Sequence, residues 1–179
     1  MQYLLHFNNR KQGLLSEQQI KKIVKQLFVA VESLHRQQII HRDVKLENIL
    51  LQSKGSGCDD NPEDFDICLT DFGFAMKTPF IGTKYRPAGT RFYVAPELLE
   101  KEPKYDYKVD VWSACVVAYV LITGQLPYTG HTFADIQQQI KTTNPIQKLE
   151  KSASQINPVA ISFLKMGMQV DAGKRPSAK

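Results

Sequence analysis

Cysteine is scarce in this 179-residue chain, at three residues: Cys58, Cys68 and Cys115. An odd number with no C-x-x-C spacing argues against a disulfide framework and a paired-cysteine zinc site. It points to a reduced, intracellular protein in which Cys68 and Cys115 pack as small apolar residues. Long apolar runs are absent too. The longest, VWSACVVAYVLI at 111–122, is too short to cross a bilayer and reads as a buried core helix. The chain does not open on a signal-peptide core. It has no basic arm and no nucleic-acid-binding motif, and its 23 Lys and Arg are spread along the sequence among 18 Asp and Glu. The net charge of +5 fits an anionic ligand. The expectation is no membrane and no nucleic acid as partner, and a location in the cytoplasm, with the nucleus as the alternative.

Apolar residues make up 42% and charged residues 23%, close to globular averages, and the length allows one domain with a real core. Ser16 and Gln19 have capping-box spacing. Behind them Ile20, Ile23, Leu27, Val31 and Leu34 recur every three or four residues, which predicts a helix from about Glu17 to His35. The period then changes. IIHRDV and NILLQ read as short extended pieces around a loop, and FDICLT (65–70) as the return strand of a hairpin. Between them, SKGSGCDDNPED (53–64) has almost nothing apolar and reads as a surface loop. Residues 71–97 form a long irregular segment, which in a compact domain is usually functional. The run YKVDVWSACVVAYVLITG is hydrophobic nearly all round, a buried helix that Gly124 stops. Thr132 and Asp135 cap a polar helix, and Asn157-Pro158 opens a last helix to about Val170.

Chemistry concentrates in HRDVKLENIL (41–50), where several charges sit among Val, Leu and Ile, although a buried charge is costly unless paired or used. Singly, each residue has a plain reading. Asp43 and Lys45 make an ion pair, Asn48 forms a turn, and Asp71-Phe72-Gly73 is another turn. Together and in order, HRDVKLEN (41–48), DFG (71–73), GTRFYVAPE (89–97), DVWS (110–113), GQLPY (124–128) and DAGKRPS (171–177) resemble the C-terminal lobe of a eukaryotic protein kinase. Lys45 with Thr90 resembles the serine/threonine branch.

The resemblance covers residues 1–179, from just after the interlobe hinge to near the end of the lobe. It implies a mainly α fold with short β-hairpins. It implies transfer of the ATP γ-phosphate to Ser or Thr of a protein substrate, with ATP and Mg2+ as cofactors. Phosphoryl transfer asks a protein mostly to position groups and neutralise charge. Asp43 would accept the hydroxyl proton. Lys45 would set a cation by the transferring phosphate. Asn48 and Asp71 would hold Mg2+, which prefers oxygen ligands. Leu50 would lie under the adenine, Glu47 would line the site and favour a basic substrate, and Thr90 would shape the hydroxyl pocket. His41 and Phe72 would pack together and Gly73 would let the chain turn. Glu97 with Arg175, and Asp110 beneath His41 and Arg42, would be structural.

Arg42 implies control by a phosphate on the activation segment, because a guanidinium pairs with phosphate bidentately. The usual phosphosite position holds Arg86, so Thr83 is the candidate, with Tyr85 and Thr78 nearby. An upstream kinase or a scaffold is the implied partner. Gly167 departs from the pattern, standing inside the last helix where a better helix former is expected, at about 1 kcal/mol. The glycine-rich loop and strand lysine of such enzymes do not occur. The favoured reading is a piece of a longer kinase with Met1 internal. The alternative is a lobe without a nucleotide lid, a non-catalytic binding or scaffold module.

Overall fold

The structure, a computed structural model, describes residues 2–3, 15–53, 65–77, 90–102, 106–151 and 156–179. Its first long helix, α1 (Glu17–Arg36), opens on the expected capping box: Gln19 N–H donates to Ser16 Oγ at 3.1 Å, and Ser16 N–H to Gln19 Oε1 at 2.9 Å. The three-four spacing puts Ile23, Leu27 and Val31 fully into the core. Helix α2 (Lys108–Thr123) has no polar face, and every residue from Val109 to Leu121 is buried. It is the central post, with α1 on one side and α5 (Pro158–Gly167) against another. Gly124 stops α2 in the left-handed conformation at φ 70°, its N–H on Val120 O at 2.8 Å. Helix α3 (Phe133–Thr142) carries the Thr132–Asp135 capping box. The sequence reading did not find α4 (Pro145–Lys151), a seven-residue helix before α5. No helix among the described residues is long and apolar enough to cross a membrane.

The β structure is small. Strands β3 (Ile49–Ser53) and β4 (Phe65–Leu69) form the expected antiparallel hairpin, and β1 (Gln2–Tyr3) adds to β3. A separate pair joins β2 (Ile39–Ile40) to β5 (Met76–Lys77), which returns the chain after Gly73 to the residues just before His41. The Gln26 side chain pins the hairpin to α1, accepting from Ile67 N–H at 2.7 Å and donating to Phe65 O at 3.4 Å. The fold is mainly α with short hairpins, as expected.

Three local expectations need correction. Cys68 is exposed, not packed. It faces Leu50 in the β3–β4 register, and alternation puts both on the sheet face opposite buried Phe65 and Leu69. The last helix ends at Gly167 rather than near Val170. The Arg175 guanidinium draws the Gln169 carbonyl out of the helical path, with Nη2 at 2.9 Å and Nε at 3.2 Å. Gly167 is required rather than merely tolerated: a Cβ there would lie 2.0 Å from Cys115 Sγ on α2. The glycine is the price of close packing between α5 and α2. Cys58 lies outside the described residues.

Gly167→Ala should therefore destabilise the fold by about 1–3 kcal/mol, the usual range for overpacking. Urea denaturation would measure it, and a Cys115→Ala background should recover part of the loss. Burial pushes the Cys115 thiol up to about 12, although the Arg175 charge opposes the shift. In the native protein at pH 8, iodoacetamide should modify Cys68 and spare Cys115 until denaturant is added. Mass spectrometry of the peptides reads the outcome.

Candidate functional site

The site begins under the chain, at Asp110 in the first turn of α2. This carboxylate is fully buried. Its Oδ1 accepts Arg42 N–H at 2.8 Å, and its Oδ2 accepts His41 N–H at 2.8 Å and His35 Nε2 at 2.9 Å. A buried carboxylate with three donors is a satisfied one. The grip matters because Arg42 stands at φ 70°, a left-handed backbone that a residue with a side chain adopts only when its surroundings hold it there.

Asp43 follows directly and is buried. Its Oδ2 accepts Lys45 Nζ at 2.6 Å and Asn48 Nδ2 at 3.1 Å; its Oδ1 accepts Thr90 N–H at 3.0 Å. Lys45 Nζ also donates to Thr90 Oγ1 at 2.9 Å. A carboxylate offers about four acceptor positions, and three are filled by these donors. Asn48 spends its Nδ2 on Asp43, with a second bond to Asp43 O at 2.9 Å. Its Oδ1 has no hydrogen bond among the described residues.

Asp71 arrives beside this cluster because Thr70 is stitched to it. Thr70 N–H and Oγ1 donate to Asn48 O at 2.9 and 3.1 Å, and Thr70 O lies 3.1 Å from His41 Nε2. Asp71 is exposed and left-handed, at φ 63°. Its Oδ1 accepts Gly73 N–H at 3.2 Å, and a Cβ on Gly73 would come within 3.1 Å of that oxygen. Among the described residues no group of three or more His, Cys, Asp or Glu could enclose a metal. Asp71 thus follows directly on the residue bonded to the Asn48 carbonyl. Phe72 rests on the His41 ring, centroids 5.0 Å apart, while half of its surface faces solvent.

The other expected residues fall around this centre. Leu50 lies half-buried on the open face of the hairpin. Glu47 has a buried Oε2 without a hydrogen-bond partner. Burial first, and the Glu47 charge second, push the Tyr93 phenol well above its ordinary value. Arg42 Nη1 contacts Met76 Sδ at 3.7 Å. Thr83, Thr78, Tyr85 and Arg86 lie outside the described residues. Glu97 and Arg175 form a bidentate pair at 2.7 and 3.0 Å. The guanidinium lies over the Trp112 ring at 5.1 Å and donates to Lys108 O at 2.7 Å. Sequence reasoning missed His35 and Ser113. Ser113 Oγ donates to Tyr93 O at 2.8 Å and fixes the 3-10 turn after Thr90 to α2. Its place in DVWS was the available signal. His35 had none beyond standing six residues before His41.

Comparison with known proteins accords with this arrangement. The family model described as protein kinase domain matches residues 1–179. The hormonally up-regulated neu tumor-associated kinase homolog A of Xenopus laevis is 38% identical over 170 residues, 91% of this chain and 22% of that protein. The human protein of the same name is 37% identical over 91% of the chain and 21% of its own length. Calcium-dependent protein kinase 6 of Plasmodium berghei is 34% identical over 94% of the chain and 11% of its own length. The chain thus spans about a fifth or less of these relatives. A solved chain of the yeast RNA Pol II CTD kinase CTDK-1 complex superposes with a TM-score of 0.82 at 24% identity, over 98% of this chain and 64% of that one, which shows the fold.

The Arg175 side chain is fully buried and that of Glu97 nearly so. Glu97→Ala should therefore cost about 3–5 kcal/mol, since it strands a buried cation. Glu32→Ala, which removes the half-buried partner of the exposed Arg36, should cost under about 1 kcal/mol. Chemical denaturation of the two variants side by side checks the contrast.

Proposed function

Because this chain belongs to the protein kinase domain family, we propose that it carries the catalytic half of a protein serine/threonine kinase, the C-terminal lobe from just after the hinge. The reaction is transfer of the ATP γ-phosphate to a Ser or Thr hydroxyl of a protein substrate. The observation that carries this reading is the state of Asp43: a buried carboxylate fixed by Lys45, Asn48 and the Thr90 backbone, with one acceptor position left.

In that position Asp43 takes the hydrogen bond of the substrate hydroxyl, orients its oxygen and accepts its proton. Lys45 pairs with Asp43 at 2.6 Å and places a positive charge beside it. The Lys45–Thr90 contact ties Thr90, within the activation segment, to the catalytic loop, so a misplaced segment disturbs the base directly. Asn48 and Asp71 fit Mg2+ by donor type. The bound ion would neutralise phosphate charge, which is the main demand of a loose transition state. Glu47, partly buried beside Asn48, would favour a basic side chain in the substrate.

A second reading, a non-catalytic binding module, rests on Phe72 and Phe74, which are 50% and 46% exposed beside the site. The two readings separate in one experiment on the protein as its source makes it. Phosphate transfer from radiolabelled ATP to a mixed Ser/Thr peptide should fall about a hundredfold or more in Asp43→Asn and in Asp71→Ala, with circular dichroism unchanged. No transfer by the wild type, with partner capture intact in both variants, would establish the module instead.

A further inference from the structure

The net charge of the chain is concentrated in one place. Residues 141–179 hold seven Lys and Arg against Glu150 and Asp171 alone, which is the whole of the +5. Residues 1–140 balance, with sixteen cations and sixteen anions. Of the seven, Arg175 is buried against Glu97. The described lysines stay at the surface, and three of them, Lys141, Lys165 and Lys174, rim one groove.

That groove, about 570 Å3, lies between the C-terminal ends of α3 and α5, with α4 as its wall. Its volume is that of a binding cleft rather than a packing defect. The floor includes Ile140, Ile146 and Met168, and Val170 at the lip is 52% exposed. The rim carries three lysines against two acids, Glu150 and Asp171, and stays net positive. Glu150 holds Lys165 at 3.1 Å in an exposed, solvent-screened pair, so Lys141 and Lys174 stand against Asp171 alone. None of the lining residues belongs to the site around Asp43.

We propose that this groove docks an acidic peptide segment of a protein partner, its carboxylates on Lys141 and Lys174 and an apolar side chain on Val170. Charge complementarity chooses the occupant, and shape chooses its class. The cations ring a recess with an aliphatic floor. A nucleic acid backbone needs a basic track with exposed aromatic rings for its bases, and the aromatic side chain here, Tyr128, is 4% exposed. A lipid surface needs cations on a projecting face rather than around a hollow. The proposal is independent of phosphate transfer, since its readout is binding.

The test is fluorescence anisotropy of a fluorescein-labelled peptide of glutamates interrupted by two leucines, titrated with the protein. Affinity should fall about tenfold or more in Lys141→Glu/Lys174→Glu, and should fall when salt rises from about 0.05 to about 0.5 M. It should fall severalfold in Val170→Asp, and hold in Lys21→Glu/Lys25→Glu on α1. Should the charge reversal unfold the protein, Lys141→Gln/Lys174→Gln reads the same contact. The proposal is overturned if a glutamine-for-glutamate peptide binds equally, if the α1 variant loses as much as the groove variant, or if a single-stranded RNA of equal charge binds as tightly through the same lysines.

Discussion

The arrangement depends on one buried carboxylate. Asp110 sits at the start of α2, a helix without a polar face, and takes hydrogen bonds from two successive backbone N–H groups and one imidazole. Isolated in that setting, an ionised acid would be untenable. With three donors it becomes a rivet between the core and the loop that carries Asp43. It stabilises the left-handed turn at Arg42, and that turn aims Asp43 at Lys45, Asn48 and Thr90. Without the rivet, the backbone at Arg42 would relax toward an ordinary conformation and the carboxylate of Asp43 would swing away from its partners.

Helix α2 serves a second anchor one turn further along. Trp112 underlies the Arg175 guanidinium, and Ser113 holds the carbonyl of Tyr93. The Glu97–Arg175 pair ties the segment after Thr90 to the chain beyond α5. A rigid apolar post thus carries polar attachments on neighbouring residues: 110 for the loop, 112 and 113 for the segment after Thr90. Asp43, Lys45 and Thr90 are held at the crossing of these attachments, while the strands contribute mainly the return path that leads to Asp71.

Much of this was legible in the sequence because strong periodicity and motif order carry local and long-range information together. The apolar stripe from Ile20 to Leu34 specified α1, and the unbroken run from Val109 to Leu121 specified a helix with no solvent face. The motifs named Asp43, Lys45, Asn48, Thr90 and Asp110, and the structure brings them together. The failures have physical causes. Helix α4 is too short to show a period. Cys68 looked apolar by type, but strand alternation turned it outward. Gly167 looked like a weak helix residue, because the demand for it comes from Cys115, fifty-two positions away and invisible to any local pattern. The end of α5 was set by Arg175, a residue beyond the helix. His35 is likewise defined only by the carboxylate it meets in three dimensions.

Asp110 grips main-chain amides at His41 and Arg42, not their side chains. The position of the loop is thereby uncoupled from the chemistry displayed on it. Any residue except proline presents the same N–H to the same carboxylate, so positions 41 and 42 can be rewritten for packing or for regulation while the residue after them stays in register. The fold holds its chemistry by an address on the backbone, which leaves the neighbouring side chains open to divergence.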